Sequence, residues 1–188
     1  MSPRFRNIDD AQLLRAMAHP LRLRLLGALR KDGPATASEL ARRLDESSGA
    51  TSYHLRMLEK YGFVEDDPGR GRGRERWWRA ADEGDEWSLD TDDAAMIEAN
   101  RALGGQVGAA YQRWLQRWYD ELPDWDRSWR AASNGTDRWF ELTPDELRGL
   151  GNEVMAVLER YAGRRVPAED TERVIVLFHA FPEKRGAA

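Results

Sequence analysis

The sequence predicts an α+β protein that is mainly helical, and three observations predict it. Apolar residues recur at helical spacing in successive short runs between Asp9 and Tyr61. Two strand-like segments, FVEDD and RERWWRA, flank the glycine- and arginine-rich link PGRGRG. Beyond Thr91 comes a long helical stretch, followed by a small strand-helix-strand module. The acidic connector DEGDEWSLDTDD divides the chain into a domain over 1–85 and another over 86–188.

The first helix runs from Asp9, an N-cap whose acidic neighbour Asp10 suits the positive end of the helix dipole, to about Ala18. His19-Pro20 ends it, because a residue before proline is pushed out of the helical region, and Pro20 then opens the second helix. Leu21, Leu25 and Leu29 give that helix its apolar face, and Gly33-Pro34 stops it. ATA is a short connector or strand. Ser38 is expected to cap the third helix, with Leu40, Ala41 and Leu44 on its inner face. Asp45 to Ser47 form a polar turn, and Ser47 caps a fourth helix that runs to Tyr61. Thr51, Leu55 and Leu58 face its core, which leaves Gly49, Tyr53, Arg56 and Lys60 on the outer face and Ser52 beside them. Gly62 is a left-handed C-cap.

Past the hairpin, the long helix starts at Thr91 and passes Tyr119, weakened by Gly104-Gly105. Pro123 restarts the chain, with a short helix over Trp125 to Ala132. RWFEL reads as a strand. Thr143-Pro144-Asp145-Glu146 combines an N-cap, a first-turn proline and a glutamate three residues after the cap, which is a capping box. The helix it opens runs to Ala162, closed by Gly163, and ERVIVLFHAF follows as a strand.

Composition narrows the function classes. At 188 residues with 41% hydrophobic, the chain can bury one good core or two small ones. Its longest nearly unbroken apolar run, Val174 to Phe181, is far below the ~20 residues of a membrane-spanning helix. The N-terminus MSPRFRNIDD lacks an apolar signal segment, so a cytoplasmic location is expected. With no cysteine, disulfides and thiolate metal sites are excluded. Residues 1–80 hold 16 Lys/Arg against 11 Asp/Glu, a net +5, whereas the remainder carries −9. A basic front half points to nucleic acid as partner.

Two short helices joined tightly, followed by a basic hairpin, suit insertion into DNA. The major groove, about 12 Å wide, admits one helix. From the fourth helix, Ser52, Tyr53, Arg56 and Lys60 supply hydrogen bonds, stacking and phosphate neutralisation, while Arg70, Arg72 and Arg74 at the hairpin tip reach a neighbouring groove.

Taken together, AHPLRLRLLGAL, SELARRL, SYHLRMLEKYGFV and GRGRERWW resemble the ArsR-like winged helix-turn-helix transcriptional regulators of bacteria, over roughly Asp9 to Ala80. The resemblance implies a homodimer that binds double-stranded operator DNA, usually as a repressor, with the fourth helix as the reading helix. It also implies DNA contacts at Ser48, Ser52, Tyr53 and His54. Metal-sensing members carry cysteines in the third helix or Asp/His pairs in a later one. This chain has no cysteine, and its three histidines, His19, His54 and His179, are scattered along the sequence, so no metal and no cofactor is expected.

Several readings stay open. The winged domain could bind protein rather than DNA. His54 lies at the edge of the core face, where a structural hydrogen bond and a phosphate contact are both compatible with it. Tyr111, Trp114 and Trp118 form an aromatic stripe that core packing, a dimer interface or a small-molecule effector pocket would each produce. No GxSxG, HExxH or phosphate-binding glycine loop is present, so no enzymatic activity is expected.

Overall fold

The computed structural model describes residues 5–68, 75–162 and 171–184. The chain forms two compact units, Met1–Trp118 and Tyr119–Ala188. No helix among the described residues is long and apolar enough to cross a membrane.

In the first unit, strand β1 (Phe5–Ile8) precedes helices α1 (Ala11–Met17) and α2 (Pro20–Asp32). Asp10, rather than Asp9, caps α1, its carboxylate accepting from the Gln12 amide at 2.7 Å. His19 caps α2 through Nδ1, which accepts from the Leu21 amide at 3.1 Å, and Pro20 occupies the first turn. Strand β2 (Ala35–Thr36) runs straight into α3 (Ala37–Leu44), followed by α4 (Ser48–Lys60). Thr36, not Ser38, caps α3: its hydroxyl accepts from the Glu39 amide, and Glu39 accepts from the Thr36 amide. Ser38 is displaced from that role because the helix starts two residues earlier than that cap would require, and its hydroxyl instead donates to Glu75 at 3.2 Å.

Strands β3 (Val64–Asp66) and β4 (Trp77–Ala80) form an antiparallel hairpin, and β2 joins β4 to complete a three-stranded sheet in the order β2-β4-β3. The acidic connector holds an unexpected strand, β5 (Gly84–Trp87), which pairs in parallel with β1, Phe5 opposite Gly84 and Ile8 opposite Trp87. Arg30 of α2 anchors it through an ion pair to Asp85 at 2.8 Å. Burial lifts the Asp85 carboxyl above its ordinary range in spite of that cation.

A single core joins Leu14, Leu25, Leu29, Leu40, Leu55, Leu58, Phe63 and Trp78 to Met96, Ala99 and Leu103 of α5 (Ala94–Glu121). The first turns of the long helix are thus part of the front unit. Gly104 and Gly105 do not interrupt it.

The second unit continues through a tight turn at Leu122–Asp124 to α6 (Arg127–Ala132) and α7 (Pro144–Ala162). Thr143 opens α7 as the sequence predicts, its hydroxyl accepting from the Glu146 amide at 3.3 Å while Glu146 accepts from the Thr143 amide at 2.7 Å. The strand-helix-strand expectation holds only for its helix. Neither 138–142 nor 172–181 takes part in a ladder among the described residues, and without a neighbouring strand to satisfy their backbone groups these segments are not strands here. No described side chain of this unit is fully buried, and Trp139, Phe140, Val174, Ile175, Val176 and Phe181 are exposed. Gly163 lies outside the described residues.

Candidate nucleic-acid interface

The interface is built on the turn between α3 and α4, only three residues long. Asp45 makes the reversal in the left-handed region, φ 52° and ψ 54°, which Asp tolerates better than most residues. The Glu46 amide then bonds back to the Ala41 carbonyl at 2.9 Å, and Arg24 of α2 holds Glu46 at 2.6 Å. Ser47 caps α4, accepting from the Ala50 amide at 3.1 Å.

The inner face of α4 is fully buried at Thr51, Leu55 and Leu58. Burying two leucines is worth about 3 to 6 kcal/mol, enough to fix which way the opposite face points. That opposite face exposes Ser48, Tyr53, Arg56 and Lys60, with Ser52 half-buried. Arg56 makes no ion pair with a carboxylate among the described residues.

Two residues that sequence reasoning passed over hold the far end of this helix. Arg6 of β1 donates to the Tyr61 carbonyl at 2.9 Å, a cation at the negative end of the dipole, and stacks over Phe63 at 4.7 Å. It sits so close that a Cβ on Gly62, φ 73°, would meet its guanidinium at 3.2 Å. Arg76, at the base of the hairpin, ties the wing to α4 by pairing with Glu59, reaches Asp66 at 3.4 Å and covers the Trp78 ring at 4.1 Å. The alternation in RERWWRA signals that Arg76 and Trp78 share a face; nothing in the sequence signals Arg6. Arg70, Arg72 and Arg74 lie outside the described residues.

His54 is half-buried and turned toward α2. Its ring lies 4.2 Å from that of His19 and 5.0 Å, edge-on, from Tyr53, and its buried Nδ1 has no hydrogen-bond partner among the described residues. Two of the histidines scattered in the sequence therefore meet in space, because the start of α2 crosses α4. Burial first, then neighbouring cations, hold both imidazoles below their ordinary value. They make no metal cluster: among the described residues no group of three or more His, Asp or Glu is placed to hold an ion.

Further along the chain, Tyr111 and Trp114 stack at 5.5 Å on α5, with Trp114 exposed and Tyr111 and Trp118 half-buried. None of the three is part of the main core.

A protein-family model described as Helix-turn-helix domain matches residues 17–67, from the end of α1 through β3. No curated protein sequence matches the chain. Among solved structures, reduced HlyU from Vibrio cholerae is 26% identical over 47% of this chain and 78% of its own, with a TM-score of 0.32. The transcriptional repressor BigR from Xylella fastidiosa is 25% identical over 48% of this chain and 76% of its own, TM-score 0.33. An ArsR family transcriptional regulator is 26% identical over 54% and 86%, TM-score 0.31.

Proposed function

Because residues 17–67 are a helix-turn-helix domain, we propose that the chain is an ArsR-like, sequence-specific transcriptional regulator that binds operator DNA as a homodimer and acts as a repressor. One observation carries this reading: α4 turns a buried apolar face to the core and an exposed face of Ser48, Tyr53, Arg56 and Lys60 outward, with a hairpin wing beside it. In this reading α4 enters the major groove, Arg56 and Tyr53 read base edges, and Ser48, Ser52, Lys60 and the tip arginines Arg70, Arg72 and Arg74 contact phosphates. His54 is then a structural residue that can reach the backbone only from its exposed edge.

Residues 1–85 form the reading domain and residues 86–188 the dimerisation and effector domain. The lack of a fully buried side chain among the described residues of 119–188 supports an associating role for that part, since its exposed apolar residues gain most from cover by another chain. The stripe of Tyr111, Trp114 and Trp118 is the proposed contact for that partner or for a small apolar or cationic effector. The protein works in the cytoplasm, without a metal and without catalysis.

The test is a mobility-shift assay on fragments of the protein's own promoter at several salt concentrations. Binding that prefers some fragments and weakens steeply with salt supports the reading. A winged module that binds protein leaves every fragment unshifted.

A further inference from the structure

Helix α2 is capped in an unusual way. The side chain that accepts the Leu21 amide is an imidazole, so the cap exists only while His19 Nδ1 keeps its lone pair. Protonation turns that acceptor into a donor and sets a cation at the positive end of the α2 dipole. The charge would also lie 4.2 Å from the ring of His54, on the reading helix.

The surroundings make this worse for a cation. From α2, Arg22 is fixed alongside by the carbonyls of Arg15 and Ala16 at the end of α1, and it opposes positive charge on both rings. Tyr53 from α4 meets His54 edge-on, and Tyr61 follows α4 on the side facing Arg22. The favourable charge is Glu46, from the α3–α4 turn, and it is already paired with Arg24 at 2.6 Å.

We propose that His19 and His54 form an acid-sensitive latch between α2 and the reading helix, closed when both rings are neutral and released when either takes a proton. Release removes the α2 cap and drives the two rings apart, loosening the seat of α4. Operator affinity, on the function proposed above, then falls with pH across the range in which histidine titrates. Because both imidazoles are held low in the folded protein, the stability they contribute is complete above the ordinary imidazole value and is lost as pH falls below it.

The experiment combines histidine proton NMR titration of the whole protein with chemical denaturation from about pH 7.5 to about pH 5, the window of imidazole charge change. His19 and His54 should titrate below an unstructured histidine, and the unfolding midpoint should drop on acidification. His19→Asn keeps an N-cap acceptor that does not titrate, and His54→Phe keeps a ring against position 19; each should flatten the drop. A several-fold loss of operator affinity at the acidic end, reduced in His19→Asn, is the functional counterpart. Titration of both rings at or above the ordinary value, or an unchanged acid slope in both variants, overturns the latch. Should DNA bind at no pH, the regulator reading fails while the titration and denaturation curves still decide the latch.

Discussion

Neighbouring residues on α4 have opposite surroundings, and substituting them one at a time separates packing from the proposed reading of DNA. Leu55 is fully buried, so Leu55→Ala leaves a cavity and should cost about 2 to 5 kcal/mol in denaturant unfolding. Arg56, one residue on, is exposed, and Arg56→Ala should leave the unfolding midpoint in place while shifting preference among operator variants by about 1 to 3 kcal/mol. Tyr53→Ala belongs with Arg56. Equal loss on every DNA sequence would instead mark these as phosphate contacts. This inside-outside division was legible in the sequence, since helical spacing separates Thr51, Leu55 and Leu58 from Tyr53, Arg56 and Lys60. The meeting of His19 and His54 was not, because 35 positions separate them and only the crossing of α2 over α4 brings the rings together.

At the scale of elements, local chemistry was readable to within a residue or two. The capping box at Thr143 and the left-handed Gly62 are where the sequence puts them. The caps of α1 and α3 moved by one and two positions, to Asp10 and Thr36, because adjacent polar residues compete for each end and tertiary contacts choose between them. Long-range pairing was illegible. The β1–β5 ladder joins Phe5 to Gly84, and neither segment carries the alternation that would mark it as a strand. The opposite error came at 138–142 and 172–181, where apolar patterning suggested strands that have no partner among the described residues. Two substitutions test the scaffold of α4, the helix proposed to read DNA. Gly62→Ala should destabilise by about 1 to 2 kcal/mol, since it places a Cβ at positive φ and 3.2 Å from Arg6. Thr36→Ala removes the hydroxyl half of the box, leaving the backbone amide to donate to Glu39, and should cost about 1 kcal/mol. Thermal or urea unfolding reads both, and a neutral Gly62→Ala would mean that Arg6 does not hold the end of α4.

For the molecule as a whole, a front unit with a buried core beside a second unit in which no described side chain is fully buried and several large apolar ones are exposed predicts self-association. Sedimentation at micromolar concentration should give a dimer, and a two-fold dimer calls for symmetric half-sites on DNA. If small molecules control it, a compound that quenches tryptophan fluorescence should also change operator affinity, and Trp114→Ala and Trp118→Ala should abolish both effects. Zinc at sub-micromolar free concentration should leave affinity unchanged, a result that a metal-responsive regulator would not give. The most direct measurement is the salt dependence of binding to the protein's own promoter. A dimer neutralising six or more phosphates should lose about 10³-fold or more in affinity between about 50 mM and about 200 mM salt, with a shallower slope when Arg70, Arg72 and Arg74 are all alanine. Binding with no salt slope, or no binding to any promoter fragment by a folded dimer, contradicts the assignment of α4 and the wing to DNA.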